Sequence, residues 1–305
     1  MKVLFGSGSK ALGKKVGDLD KFEVLNANIT RFADGESRVE INCNNLSQES
    51  ILIVQSTNKD EYIIELILII DALKRLGATD IHLFVPYFGY SRADRIVQAG
   101  SAIGAKAIAN TIKNDIKSLF VVDIHFAQFE GFFDFPVYNL HTEDLFAKHL
   151  KKSFANDFLK DIAIVAPDLG CAKKSRSFAK VFECDVVIIN KHRPAVSVCQ
   201  ITDVIGDTSG KNCIIIDDII CGGGTLCGAA EKLKSMGAKS VVAMITHGVL
   251  SGDALSKIEK SQIEKLVITD TIEKEVDCEK LAIASVGQMV VDKIRELDFI
   301  ECKKR

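Results

Sequence analysis

The sequence predicts an α/β protein made of two similar units, each a mainly parallel sheet with helices on both faces. Three observations predict it. Short apolar strands alternate with helical stretches from one end of the chain to the other, the pattern of strand–helix–strand crossovers. Strands such as Ile214 to Ile216 are β-branched without polar alternation, which marks a strand buried on both faces. The halves also repeat one plan. Each has a strand ending in Pro and polar residues (Val85-Pro86-Tyr87; Ala166-Pro167-Asp168), a basic turn, a helix, and a strand ending in acid (Val122-Asp123; Asp217-Asp218).

The elements follow in order. Apolar runs predict strands at residues 2–5, 51–55, 81–85, 118–123, 163–166, 186–190, 213–216, 241–246 and 265–269. Helix-like stretches at 62–76, 102–114, 172–182, 226–236 and 255–259 lie between them. The exception is residues 22–41, where Phe-Glu-Val-Leu and Ser-Arg-Val-Glu-Ile predict a hairpin-like pair. The segment from Lys191 to Gly206 carries little secondary-structure signal and reads as a long loop. At 305 residues the chain exceeds one ordinary core. Two domains are expected, 1–143 and 144–305, the boundary lying near 141–152 without a low-complexity linker, and the last helix is expected to pack back on the first domain.

Composition narrows the class of function. Hydrophobic content of 47% and charged content of 26% belong to a water-soluble surface over large cores. A net charge of −2 gives no nucleic-acid footprint. Nine cysteines, scattered singly with no CxxC pair, point to reduced thiols in a cytoplasmic protein rather than disulfides or a zinc site. The first residues are too short an apolar run for a signal peptide, and the apolar run Ile63 to Ile70 is cut by Glu65 and Asp71, so no membrane span is expected.

The chemistry-bearing motifs all fall at strand ends, where open α/β sheets bind ligands. In CIIIDDIICGGGTL, Asp217 and Asp218 follow a buried strand, then Cys221, Gly222, Gly223, Gly224 and Thr225 open a helix. Backbone N–H groups and a helix N-terminus there suit a phosphate, and the carboxylates suit sugar hydroxyls or a metal. A turn that merely ends a strand is the plain alternative. Asp168 and Gly170 lead into Lys173, Lys174 and Arg176, which is either simple N-capping or an anion site with its cations. His125, just past Asp123, is either a structural histidine or a phosphate or metal contact. Lys191 and Arg193 in INKHRP are either solvated charges or the base of a lid over phosphates. RFADGE (Arg31 to Glu36) reads locally as a turn between strands. The turn Tyr87 to Arg95 holds three aromatics and two arginines, suited to stacking a base and pairing phosphates, or to a packed aromatic corner.

Taken together these segments resemble the ribose-phosphate pyrophosphokinase (phosphoribosyl pyrophosphate synthetase) family. RFADGESRVEI, the long block ending in VPYFGYSRADR, VVDIHFAQFEGFFDFPVYNL, APDLGCAKKSR, INKHRP, DDIICGGGT, THGVLSGDA and ITDT stand in the family's order over most of the chain. The resemblance implies two tandem phosphoribosyltransferase-like (type I) domains, an ATP half and a ribose 5-phosphate half. It implies transfer of the diphosphoryl group of Mg-ATP to ribose 5-phosphate, with Mg2+ as cofactor. Phe32, Asp34, Gly35, Glu36, Arg92, Asp94 and His125 would bind ATP, the DGE residues from a neighbouring subunit. Asp168, Arg193, Asp217, Asp218, Cys221, Gly222, Gly223, Gly224 and Thr225 would bind ribose 5-phosphate. His125 and Asp168 would serve the metal, and Lys191 and Arg193 would be the catalytic cations. A homo-oligomer is implied, a dimer at the least, with the hexamer left open. A regulatory paralogue that binds an active homologue, or a phosphoribosyltransferase, are the alternatives.

The chain departs from the family pattern in places. The 5-phosphate loop, usually acid-Thr-Gly-Gly-Thr, is Cys221-Gly222-Gly223-Gly224-Thr225; its backbone donors remain, so binding is expected to survive. Ala93 replaces a glutamine, Ile96 a basic residue, and Cys171 a glycine of the pyrophosphate loop. The Ser-rich ending of the phosphate-activated class is missing, which leaves control by phosphate and ADP open.

Overall fold

The computed structural model describes residues 1–195, 198–275 and 277–302, without the side chains of 191–202 and 298–302. The chain forms two compact units. The first comprises Met1–Leu140, Thr271–Glu273 and the chain from Ser285 on; the second comprises His141–Asp270 and the stretch from Lys274 to Ala284.

The first unit contains β1 (Lys2–Phe5), α1 (Lys10–Leu19), β2 (Glu23–Val24), β3 (Ala27–Arg31), β4 (Ser37–Ile41), β5 (Ser50–Val54), α2 (Asp60–Arg75), β6 (Asp80–Val85), α3 (Gly104–Ile112), β7 (Ser118–Val122), a 3-10 turn (Ala127–Phe132) and β8 (Val137–Leu140). Six strands make a sheet in the order β2-β1-β5-β6-β7-β8, parallel at each pairing. Alternation decides which residue packs where. Ile51, Ile53, Ile81, Leu83, Leu119 and Val121 join one core with α2 (Leu66, Ile69, Leu73) and α3 (Ala105, Ala109, Ile112). Their sequence neighbours Leu52, Val54, Phe84, Phe120 and Val122 point the other way and are equally buried.

The second unit contains α4 (Glu143–Ser153), α5 (Asn156–Lys160), β9 (Ile162–Ala166), α6 (Ala172–Phe182), β10 (Asp185–Ala195), β11 (Val198–Ile205), β12 (Asn212–Ile220), α7 (Gly224–Ser235), β13 (Ser240–Gly248), α8 (Ala254–Lys260), β14 (Lys265–Thr269) and β15 (Leu281–Ala284). Its seven strands run β11-β10-β9-β12-β13-β14-β15, parallel except for the antiparallel β10–β11 pair. Here the period of two sorts the core onto both faces. Val165, Ile215, Ala243 and Ile268 pack with Leu226, Ala229 and Leu233 of α7 and Ile258 of α8. Ile164, Ile214, Ile216, Met244 and Val267 pack with Phe146 and Leu150 of α4 and Phe178 of α6. Helix α9 (Gly287–Cys302) belongs to the first unit, where it packs on α1.

The mainly parallel α/β architecture is as the sequence predicts, with four differences in its elements. The hairpin is β3 with β4, in register Ala27↔Ile41 to Arg31↔Ser37. Its first arm is therefore not the Phe22–Leu25 stretch, which contains β2 and pairs in parallel with β1 instead. The segment after Lys191 is not a long loop, because β10 and β11 pair as an antiparallel hairpin from Ile188↔Ile205 to Ala195↔Val198. The β-branched residues Val198, Ile201, Val204 and Ile205 supply that propensity despite their polar neighbours. Strand β12 runs four residues past Ile216, so the acid pair lies inside a strand, held by continued pairing of Ile219 with His247 and Ile220 with Gly248 on β13. Helices α1, α4 and α5 and strands β8 and β15 also lie where no such element is expected; α1 contains Gly13 and Gly17, which weaken its local signal.

Candidate active site

In the second unit three strand ends converge on Asp217 and Asp218. Strand β9 pairs with β12 only as far as Val165↔Ile215, whereas β13 accompanies β12 to Ile220. Beyond Ile215, therefore, β12 has a strand neighbour on one side only. The loop from Pro167 to Cys171 approaches from the other side. The half-buried Asp168 accepts a hydrogen bond on Oδ1 from the Cys171 N–H at 3.1 Å, a local turn that also starts α6. The Cys171 Sγ then donates to Asp217 Oδ1 at 3.0 Å, and the Asp218 N–H donates to the same oxygen at 2.9 Å. Cys171, Asp217 and Asp218 bring their ligand atoms within 4.8 Å of one another, close enough to share a cation.

This crowding sets the electrostatics. Burial, reinforced by the Asp218 charge, pushes the Asp217 carboxyl up to about 7. Burial and the neighbouring Asp217 charge push the Cys171 thiol well above its ordinary value, so it stays protonated and serves as a donor at neutral pH.

The glycine loop follows. Gly223 is the N-cap of α7 with φ +75°, a left-handed conformation that favours glycine. Gly222 and Gly224 have nothing within 4 Å of where a Cβ would stand, so space beside the loop is open. The first helical bond runs from the Cys227 N–H to the Gly223 carbonyl at 2.9 Å, and no side chain caps the helix. The N–H groups of Gly224, Thr225 and Leu226 thus have no intrahelical acceptor, the arrangement that binds anions. The β13–α8 connection braces the loop: Val249 and Leu250 N–H groups donate to the Ile220 carbonyl, and Ser251 donates to that of Cys221. Lys174, expected among the anion-binding cations, turns inward to the Thr246 and Thr142 hydroxyls at 3.2 and 3.5 Å. The side chains of Lys191 and Arg193 lie outside the described residues, although their backbone belongs to β10.

In the first unit, Phe32, Asp34, Gly35 and Glu36 form the exposed tip of the β3–β4 hairpin. The tip closes on itself: the Gly35 N–H donates to the Phe32 carbonyl and the Phe32 N–H to that of Glu36, both at 2.9 Å. The Glu36 N–H donates to Asp34 Oδ1 at 3.1 Å, and the Arg38 guanidinium lies 5.8 Å from the Phe32 ring centroid. Arg92 and Asp94 lie in the turn after β6, and His125 lies just past β7; Arg92 and His125 are exposed. The fork of Arg95 binds both oxygens of Asp94 at 2.9 and 2.6 Å. Arg95 holds the Asp94 carboxyl below its usual range.

The aromatics of that turn resolve into the packed corner. Tyr87 and Phe88 are buried, Phe88 edge-on to Phe129 with centroids 4.7 Å apart, and Tyr90 alone of the three is exposed. Two residues escaped a sequence reading of roles: Cys171 as the partner of Asp217, and Thr246 as the partner of Lys174. For Cys171 the available signal was its place where the resembled family has a glycine, three residues after Asp168.

Folds and strand-end loops of this kind define the phosphoribosyltransferase-like class of α/β domain, present here twice. Two family models match the chain, the N-terminal domain of ribose phosphate pyrophosphokinase over residues 1–115 and the phosphoribosyl synthetase-associated domain over residues 187–303. A ribose-phosphate pyrophosphokinase from Agrobacterium fabrum is 40% identical over 276 residues, covering 90% of this chain and 88% of that one. One from Brucella melitensis is 37% identical and covers 96% of each chain. The crystal structure of phosphoribosylpyrophosphate synthetase from Mycobacterium smegmatis superimposes with a TM-score of 0.86 at 26% identity, over 97% of this chain and 98% of that one. The chain belongs to the ribose-phosphate pyrophosphokinase family, enzymes that transfer diphosphoryl groups. Among the described residues no helix is long and apolar enough to cross a membrane.

Proposed function

We propose that the protein transfers the β,γ-diphosphoryl group of Mg-ATP to the 1-hydroxyl of ribose 5-phosphate, giving phosphoribosyl pyrophosphate and AMP. The observation that carries this reading is the pairing, at the end of β12, of two carboxylates with an uncapped glycine-loop helix start, in a chain related throughout to enzymes of that name. The first unit is assigned the ATP half and the second the ribose 5-phosphate half. N–H groups from Gly222 to Thr225 take the 5-phosphate, and Asp217 and Asp218 take the ribose hydroxyls. Arg92 pairs with ATP phosphates. The exposed hairpin tip, Phe32 to Glu36, is suited to serve the ATP site of a second copy, which makes a homo-oligomer the working form in the cytoplasm.

The residues fit a magnesium ion through hard oxygen donors. The half-buried carboxylate of Asp168 at the end of β9 is such a donor, whereas the Cys171 sulfur beside Asp217 is too soft for magnesium. Asp168 in the second unit and His125 in the first are each assigned to magnesium, which when bound would supply charge neutralisation on the diphosphoryl oxygens. Phosphoryl-type transfer asks little covalent work of a protein, so these residues position the two reactants and balance charge. Lys191 and Arg193 are assigned to the charge that builds on the transferred group, Arg as a two-pronged donor and Lys as a point charge.

Incubation with ribose 5-phosphate and Mg-ATP, with AMP and phosphoribosyl pyrophosphate as readouts, tests the reading. Both products are expected in equal amounts. Absence of AMP, where an active homologue produces it, would sink the proposal and favour the regulatory alternative. In the same assay Lys191→Ala is expected to lower turnover by orders of magnitude with little change in ribose 5-phosphate affinity; normal turnover would remove Lys191 from the chemistry.

A further inference from the structure

We propose that Cys171 is a positioning residue for the acid pair, its thiol orienting the Asp217 carboxylate toward the ribose hydroxyls. The inference rests on the assignment of Asp217 to the ribose 5-phosphate half.

Four observations lead to it. First, the backbone at Cys171 is right-handed, φ −82° and ψ −5°, so nothing in its conformation demands the glycine usual for the resembled family, and a side chain is accepted without strain. Second, one residue ties two acids together: its N–H holds Asp168 Oδ1 at 3.1 Å and its Sγ holds Asp217 Oδ1 at 3.0 Å. Third, the Asp218 N–H donates to that same Asp217 oxygen at 2.9 Å. Two donors converging on Oδ1 fix the rotation of the carboxyl group, and Oδ2 is the oxygen assigned to the ligand. Fourth, Asp217 lies past the last β9–β12 pair, Val165↔Ile215, so on that side the Cys171 loop, not a strand, braces it.

Three variants and three readouts, with thermal melts as a folding control, test this. The infrared S–H stretching band assigned to Cys171, isolated as the difference between wild type and Cys171→Ala, reports the hydrogen bond with no ligand present. It is expected to move to higher frequency in Asp217→Ala. Calorimetric titration with ribose 5-phosphate alone is expected to show binding weakened roughly fivefold in Cys171→Ala, the worth of one weak hydrogen bond, and largely restored in Cys171→Ser. In turnover the same loss is expected in KM for ribose 5-phosphate, with kcat nearly unchanged. Thermal melts within a few degrees of wild type establish that the variants fold. An S–H band indifferent to Asp217→Ala, or a Cys171→Ala protein that binds like wild type, overturns the positioning role. A wild-type protein with the S–H shift intact that fails to bind ribose 5-phosphate overturns the site assignment, and the ligand role of Cys171 with it.

Discussion

At Asp217 burial and the Asp218 charge act in the same direction, raising a carboxyl to about 7. In the unfolded chain the same group titrates near 4. Between those values the native state holds a proton that the unfolded state has lost, so stability falls as pH rises from about 4 to about 7, by at most roughly 1.4 kcal/mol per pH unit. Asp217→Asn removes the penalty. The variant is expected to melt a few degrees above wild type at pH 8, the gap closing toward pH 4. Parallel melting curves across that range would show that Asp217 does not titrate as described. The acid pair and the glycine loop were legible in the sequence because two carboxylates beside a buried strand and a glycine-rich helix start have few other uses. The Cys171 contact was not legible, since it joins residues 46 apart.

Among the elements, the strand cores were legible and their ends were not. Apolar runs mark burial, but a strand ends where its neighbours stop pairing, and β12 continues through two acids because β13 continues beside it. Likewise a β-branched stretch with polar neighbours became the β10–β11 hairpin because β10 lay beside β9 with its outer edge open. The turn after β6 offers a sharp test. A Cβ on Gly89 would stand 2.0 Å from the Thr57 carbonyl oxygen, and the Gly89 N–H donates to Thr57 Oγ1 at 2.7 Å. Gly89→Ala is expected to cost about 3 kcal/mol, read as a lowered urea midpoint. Gly222→Ala, with open space around it, is expected to stay within about 0.5 kcal/mol of wild type. Equal midpoints for the two variants would refute the packing at Gly89.

Across the whole molecule the chain does not divide into a first half and a second half. The segment from Ser285 on belongs with the first unit, where α9 packs on α1 and buries Val290, Val291 and Ile294, while Gly287 lies against Leu12 and Leu19. Three buried aliphatic side chains at about 2 kcal/mol each are a large share of one unit's stability. Truncation after Ala284 is therefore expected to lower the melting temperature by more than 10 °C, about 2–4 °C being lost per kcal/mol, and to raise binding of a hydrophobic dye. Val291→Asp, which keeps the full chain, should act in the same direction. A truncated protein that melts like wild type would show α9 to be dispensable.

By itself the sequence determined the α/β class, the buried strand cores and the residue types at the strand ends, because hydrophobic period and short motifs are local properties. Only the tertiary structure decided the order β9-β12-β13, the reach of Cys171 to Asp217 and the inward turn of Lys174. Each of these joins positions far apart in the chain, and no local pattern encodes which strand or helix will lie beside another.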